Sequence, residues 1–146
     1  QKRLRVIRAL AEAGVPVRLM CAPVIPGLNM DGIPKLIEAA ARHGASDVSY
    51  TVVRLNGAIG PLFEDWIYKA YPDRAQKVLK LIASCHEGRV NDNRWGKRMH
   101  GDGPIADQIA QLIQLYRRRY MGPTERRPLR SDLFRPPSGK QLDLFK

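Results

Sequence analysis

Two apolar segments, residues 15–22 and 48–55, constrain the fold of this chain more than any other feature of its sequence. Apolar side chains run almost without interruption through the first segment, which is typical of a strand buried in a parallel sheet. Between the segments, apolar residues recur at the spacing of an amphipathic helix, namely Ile33, Leu36, Ile37, Ala40 and Ala41. This order predicts a βαβ crossover, in which the carboxyl ends of both strands lie at one edge of the sheet.

Helical periodicity continues on both sides of this unit. One helix is predicted to end at Gly14, and another covers residues 105–120. Pro61 is predicted to begin a further helix, which Pro72 interrupts, with its apolar side chains facing inward, namely Leu62, Phe63, Trp66 and Ile67. Two parallel strands do not make a stable sheet by themselves, and the chain begins in helical rhythm without an initiator Met. We therefore expect a piece of a larger α/β unit.

The charge of the chain is concentrated at its ends. The 146 residues contain 25 Lys and Arg against 14 Asp and Glu, a net charge of +11. Residues 1–18 contain five basic and one acidic group, and residues 116–146 contain nine and three. Basic ends attract polyanions, nucleic acid first and anionic membranes second. The alternative is that these ends serve solubility alone.

Cysteine usage and hydropathy indicate the setting. The two cysteines, Cys21 and Cys85, have no partner at metal-ligand spacing, which predicts buried inert thiols and no metal ligands in this chain. The sequence contains no signal peptide and no apolar run of transmembrane length. These features predict a cytoplasmic protein without a membrane partner.

A proline-rich loop follows the first apolar segment. Pro23, Pro26 and Gly27 stand within five residues, and proline is confined to strand ends, edges and bulges because it lacks a ladder donor. In α/β folds, ligands often bind at this edge of the sheet. The alternative is a tight turn in which Asn29 or Asp31 caps the next helix.

A second loop, residues 89–103, has no periodicity and is rich in Asn, Asp, Gly and Arg. Cations beside an aromatic ring are typical of a nucleic-acid contact, which assigns this role to Arg94, Trp95, Lys97 and Arg98. The alternative is an ordered loop plugged by Trp95 and tied to the body by Asn91, Asp92 and Asp102.

Four segments in this order resemble one known family. They read KRLRVIRALAEAGVPV, APVIPGLN followed by IPKLIEAAARHGA, VVRLNGAIGPLFEDW, and RVNDNRWGKRMHGDGPIADQI. From Lys2 onward the sequence resembles the C-terminal part of radical S-adenosylmethionine (SAM) proteins, in the DNA-repair-photolyase-like group related to spore photoproduct lyase. It departs from the family pattern at Met30, where Asp is usual, and at Asn56, where Pro is usual.

The resemblance implies a fold and two cofactors. The chain would be the C-terminal portion of a partial (β/α)6 barrel, with a helical extension to residue 120 and a basic, disordered tail over residues 121–146. In the family, a CxxxCxxC loop holds a 4Fe–4S cluster that reductively cleaves SAM to a 5′-deoxyadenosyl radical. This chain contains no CxxxCxxC, so the cluster ligands are not in it, and we expect it to be inactive as given.

The resemblance also implies which residues meet the cofactor. They are the strand ends and the proline loop, namely Val24, Ile25, Pro26, Gly27, Asn29, Arg54 and Leu55. Val24 or Ile25 would lie against the adenine face, and the backbone of Arg54 and Leu55 would line its other side. For Arg54 the alternative is a salt bridge at the barrel rim.

The C-terminal residues resemble a bacterial sliding-clamp-binding peptide. This QLDLF motif consists of Gln141, Leu142, Asp143, Leu144 and Phe145. Its apolar side chains are suited to a groove, and the Gln amide would fix the register. The alternative is that this apolar end folds back onto the barrel.

Three functional classes follow. The first is a fragment of a radical SAM enzyme that acts on nucleic acid, in DNA repair. The second is a non-catalytic basic module that binds nucleic acid or the clamp. The third is a radical SAM enzyme with a small-molecule or protein substrate.

Overall fold

The computed structural model of the chain describes residues 2–91, 94–123, 132, 134 and 135. The described residues form five helices and two strands, with helices and strands alternating up to the second strand and three helices following it. In chain order they are α1 (Lys2–Glu12), β1 (Arg18–Val24), α2 (Ile33–Arg42), β2 (Asp47–Val52), α3 (Ile59–Ala70), α4 (Pro72–Ser84) and α5 (Pro104–Met121). A single 3₁₀ turn, Met30–Gly32, precedes α2.

The two strands pair in parallel, which confirms the predicted βαβ order. Arg18 lies opposite Asp47 at one end of the ladder, and Val24 lies opposite Val52 at the other. The register shifts between Cys21 and Val24. Pro23 lies within this interval, and it cannot donate a ladder hydrogen bond because it lacks an N–H group. The apolar run predicted a strand over residues 15–22, whereas β1 begins at Arg18 and ends at Val24.

The helices cover one face of this sheet. A core cluster joins Cys21 and Val24 of β1, Val48 and Val52 of β2, and buried residues of α2 and α5, namely Ile33, Ile37, Ala106, Ile109 and Ile113. On the opposite face, Met20 is 57% exposed, and the Ser49 hydroxyl lies 3.5 Å from its sulfur. The described residues thus form a parallel sheet that is covered on one side, without a closed barrel.

A second core lies beyond the carboxyl end of β2. Val53 and Leu55 pack there with Ile67 of α3 and with buried residues of α4, namely Ala75, Val78 and Ile82. The predicted inward face of α3 is wrong for Leu62 and Trp66, which are 68% and 45% exposed. The reason is that α3 packs mainly on α4 and on the segment after β2, so one narrow stripe of the helix is sufficient for burial.

Asp47 joins the amino ends of both strands to α5. Its carboxylate accepts hydrogen bonds from Arg18, at 2.7 Å, and from Arg117, at 2.6 Å. Burial acts to raise the pKa of Asp47, but the hydrogen bond and charge of Arg117, the Val48 backbone N–H and the charge of Arg18 together lower it.

The predicted boundary at residue 120 falls at the end of α5, which reaches Met121. The predicted tail lies largely outside the described residues. No helix in the described parts of the chain combines the length and apolarity needed to cross a bilayer.

Candidate ligand-binding site

A pocket of about 510 Å³ opens where the carboxyl ends of both parallel strands meet. Its lining comes from the first strand and its loop, from the end of the second strand, from the beginning of α3 and from the 89–103 loop. The lining residues are Ala22, Pro23, Ile25, Thr51, Val52, Val53, Arg54, Leu55, Asn56, Ile59, Phe63 and Met99. The position matches the edge of an α/β sheet at which ligands bind in other proteins.

The Asn29 side chain closes the proline loop. Its Oδ1 accepts a hydrogen bond from the Ile25 N–H at 2.8 Å, and its Nδ2 donates to the Pro23 carbonyl at 3.0 Å. These bonds hold the loop in one shape and present Ile25 to the pocket. The alternative assignment of Asn29 or Asp31 as a helix cap is wrong, because neither the 3₁₀ turn nor α2 receives a side-chain cap bond.

The structure directs Val24, Pro26 and Gly27 of this loop away from the pocket. Val24 is 1% exposed and belongs to the core between the sheet and the helices. Pro26 is fully buried, and a Cβ on Gly27 would lie 2.8 Å from the Leu81 Cδ1. Of the residues proposed to lie against adenine, Ile25 is therefore the one that lines the pocket.

Arg54 and Leu55 lie at the opposite wall. The backbone of this segment is held by its neighbours, because the Leu55 N–H donates to the Val90 carbonyl at 3.0 Å and His86 Nε2 lies 2.8 Å from the Val53 carbonyl. Since a carbonyl only accepts, Nε2 of the buried His86 carries the proton. The alternative salt bridge of Arg54 is absent among the described residues, and its Nη1 instead lies 3.6 Å from the Met99 sulfur.

The 89–103 loop forms part of the pocket wall. The Val52 N–H donates to the Met99 carbonyl at 2.8 Å, so the loop covers the edge of β2 that β1 does not use. Arg94 pairs with Glu87 and Asp102, and Lys97 pairs with Asp102. The hydrogen bond and charge of Lys97, with smaller contributions from the Gly103 N–H and Arg94, hold the pKa of Asp102 below its usual value.

These contacts divide the four residues assigned to a nucleic-acid contact. Arg94 and Lys97 form ion pairs within the loop, as the structural alternative expects of a tied segment. Trp95 is not a plug, because 90% of it is exposed, and Arg98 is exposed as well. That alternative tied the loop to the body through Asn91, Asp92 and Asp102. Asp102 forms an ion pair with Lys97, whereas Oδ1 of Asn91 is buried and has no hydrogen-bond partner among the described residues. Asp92 lies outside the described residues.

Both cysteines are free and buried. Burial raises the pKa of the Cys21 thiol to about 11 and also raises that of Cys85. Within the described ranges, no three His, Cys, Asp or Glu side chains converge as a metal site would require. The predicted clamp-binding residues, 141–145, lie outside the described part of the chain.

The sequence prediction missed most of the apolar lining. Phe63 was assigned to the inward face of a helix, Met99 lies in the loop without periodicity, and Ile59 was given no role in the site. The apolar residues at the start of α3 carried a signal, since they directly follow the second strand at the ligand edge. Met99 carried none, because its position depends on backbone pairing between distant segments.

Comparison with known proteins finds similar proteins that are themselves uncharacterized. An uncharacterized protein of Mycobacterium bovis and uncharacterized proteins of two strains of Mycobacterium tuberculosis are each 31% identical to the chain over 83 residues. The match covers 56% of this chain and 24% of each mycobacterial protein, so the chain spans about a quarter of these relatives. No family model matches the chain. No solved structure matches it.

Proposed function

We propose that the chain is the C-terminal part of a radical SAM enzyme, and that its pocket holds the adenosyl end of SAM. The observation that carries the proposal is the pocket at the shared carboxyl edge of two parallel strands, which brings Ile25, Arg54 and Leu55 together. A (β/α) barrel also accounts for the uncovered sheet face, because further strands would cover Met20. With both cysteines free, the proposal assigns the enzyme to the reducing cytoplasm.

The pocket has the composition that an adenosyl group requires. Ile25, Ile59 and Phe63 supply apolar surface for a planar base, and Thr51 and Asn56 supply polar groups nearby. Bound SAM would supply the radical that abstracts hydrogen from the substrate. The role of this chain's residues is to bind the adenosyl group and to exclude water from it.

The described residues do not fit an iron–sulfur cluster. The family's cluster needs three thiolates, whereas Cys21 and Cys85 are buried in the core with raised pKa values. In this proposal, the cluster ligands belong to another part of the full-length protein.

Ligand binding tests the proposal without redox chemistry. We expect the full-length protein to bind S-adenosylhomocysteine at micromolar strength, about −8 kcal/mol, in isothermal titration calorimetry. Ile59→Glu should weaken binding by about tenfold or more, because it places a carboxylate on the apolar wall of the pocket. Ile59 is 56% exposed at the start of α3, so the change is compatible with folding.

Leu115→Glu is the matched control for this experiment. Leu115 is 61% exposed on α5 and does not line the pocket. Its variant should bind S-adenosylhomocysteine as the wild type does. Absence of binding by the wild type, or equal weakening in both variants, would contradict the assignment of this pocket.

A second candidate function is nucleic-acid binding, either as the enzyme's working environment or as a module without catalysis. The observation in its favour is Trp95, whose ring is 90% exposed beside the exposed Arg98. We propose that bases stack on this ring. The clamp-docking role of residues 141–145 accompanies this proposal, and it depends on sequence alone.

A further inference from the structure

Arg54 is the only charged residue among those that line the pocket. Its Nε is fully buried and has no hydrogen-bond partner, although guanidinium donors are ordinarily satisfied by protein groups or water. Water does not reach this atom, because its accessible surface is below 1 Å².

The surroundings of Arg54 offer no anion. Among the described residues, the lining contains no Asp or Glu side chain, and Nη1 donates to the Met99 sulfur at 3.6 Å. Thioether sulfur is a weak acceptor, so it does not replace a carboxylate. As far as the described residues line it, the pocket therefore presents a cation without a neutralising side chain on a mostly apolar wall.

The beginning of α3 adds to the same potential. This helix has 12 residues, and Ile59, its first residue, lines the pocket together with Asn56 just before it. The positive end of the helix dipole thus lies at the pocket and favours an anion there, although the first N–H groups are already bonded, Ile59 to the Asn56 carbonyl and Gly60 to the Gly57 carbonyl.

We propose that Arg54 binds an anionic group, a carboxylate or a phosphate, of the molecule that occupies this pocket. The ligand is amphipathic: its apolar part contacts Ile25, Ile59 and Phe63, and its anionic group accepts hydrogen bonds from the terminal Nη groups of Arg54, because Nε is sealed from solvent. The inference rests on the proposed function in taking this pocket as the adenosyl site. It adds a side-chain role to Arg54, beyond the backbone contact that the family resemblance implies.

Three adenosine compounds separate the two anions. S-adenosylhomocysteine carries a carboxylate, adenosine 5′-monophosphate carries a phosphate, and 5′-methylthioadenosine carries neither. Affinities of all three are measured by calorimetry for the full-length wild type, for Arg54→Gln and for Arg54→Lys. Arg74→Gln removes the same charge from an exposed position on α4 outside the pocket and serves as the control.

We expect Arg54→Gln to weaken one anionic ligand by about tenfold or more and to leave 5′-methylthioadenosine unchanged, because hydrogen bonds to charged groups are the strong ones. Loss confined to S-adenosylhomocysteine assigns the carboxylate, and loss confined to the monophosphate assigns the phosphate. Arg54→Lys should lose part of the affinity, since an ammonium lacks the planar fork. Thermal unfolding of each variant checks that it is folded. If Arg54→Gln is unfolded, the ligand affinities of Arg54→Lys test the inference instead.

Two results would overturn the inference. One is equal binding of every ligand by wild type and both Arg54 variants. The other is a similar loss for all three ligands, because that pattern indicates a distorted pocket. If the wild type binds only the monophosphate and does so through Arg54, the inference stands and the adenosyl proposal fails. If it binds S-adenosylhomocysteine and neither anionic ligand loses affinity in Arg54→Gln, the reverse holds, and if it binds none of the three, both fail.

Discussion

Asp47 links three elements through one carboxylate. It is 8% exposed, and its two oxygens accept from Arg18 of β1 and Arg117 of α5. Replacement by Asn removes the charge and one of the two acceptor oxygens, so one guanidinium group at most keeps its hydrogen bond to this side chain. At pH 7 we expect Asp47→Asn to lower the free energy of unfolding by about 1.5–3 kcal/mol, the range for hydrogen bonds to charged groups.

The pH dependence of this contribution follows from the lowered pKa of Asp47. A carboxyl whose pKa is lower in the folded state stabilises the protein fully above its unfolded-state pKa, which is 3.8. The contribution is lost as the pH falls below 3.8 and through the folded-state pKa. The difference between wild type and Asp47→Asn in urea unfolding should therefore be constant near neutrality and shrink below that pH.

Asp65→Asn is the control for the Asp47 experiment. Asp65 pairs with Lys69 one helical turn away at 2.8 Å, and both side chains are mostly exposed. Such pairs contribute about 0.5 kcal/mol or less. If Asp47→Asn is no more destabilising than Asp65→Asn, the Asp47 cluster does not stabilise the fold.

At the scale of elements, the proline loop depends on its contact with α4. Gly27 has a φ of +74°, and its missing Cβ leaves room for Leu81. We expect Gly27→Ala to destabilise the protein in two ways, through left-handed backbone strain of about 1–2 kcal/mol and through the 2.8 Å approach to Leu81 Cδ1. Urea unfolding of the full-length variant measures the sum.

Gly14→Ala separates these two contributions. Gly14 has a φ of +75°, and a Cβ there would meet no atom within 4 Å, so this variant reports backbone strain alone. Gly27→Ala should be the more destabilising of the two, and Leu81→Ala in the same chain should remove most of the difference. Equal effects of the two glycine variants would show that the loop does not press on α4.

The helices and the parallel strand pair were predictable because each follows from a local period. Apolar spacing identified α2 and α5, and Pro72 separated α3 from α4 as predicted. The exposed face of α3 was not predictable, since an apolar stripe does not reveal how many neighbours pack on it. In the site, the loop after β1 and the end of β2 were predicted, whereas the wall supplied by Met99 depends on pairing between residues 47 positions apart, Val52 and Met99.

At the scale of the molecule, a parallel sheet with one covered face needs a second layer. The opposite face carries Met20, 57% exposed, and the half-buried Ser49 and Thr51. Parallel sheets are covered on both faces in α/β proteins, so the proposal assigns this face to the interior of a barrel that other strands complete. The pocket at the sheet edge would then open toward that interior.

The charge of +11 and the exposed Trp95 lead to a prediction about nucleic acid. Trp95 stands on a turn closed by the hydrogen bond from the Arg98 N–H to the Arg94 carbonyl, at 3.0 Å, and by the ion pairs of Arg94 and Lys97. The backbone that carries the ring is thus held in place before a base arrives. Arg89 and Arg98 form no ion pair within the described chain, so they remain available for phosphates.

We expect the full-length protein to bind a single-stranded oligonucleotide in fluorescence anisotropy, with an affinity that falls steeply as salt is added. Trp95→Ala should weaken binding by about 1–3 kcal/mol, the contribution of one stacked base, and Trp95→Phe should retain part of it. Arg98→Gln should instead reduce the salt dependence by about one phosphate contact. Trp66→Ala is the control, because Trp66 of α3 is also exposed but its ring packs against those of Phe63 and Tyr71. Equal weakening by Trp66→Ala and Trp95→Ala, or binding that salt does not affect, would contradict a base-stacking role for this loop.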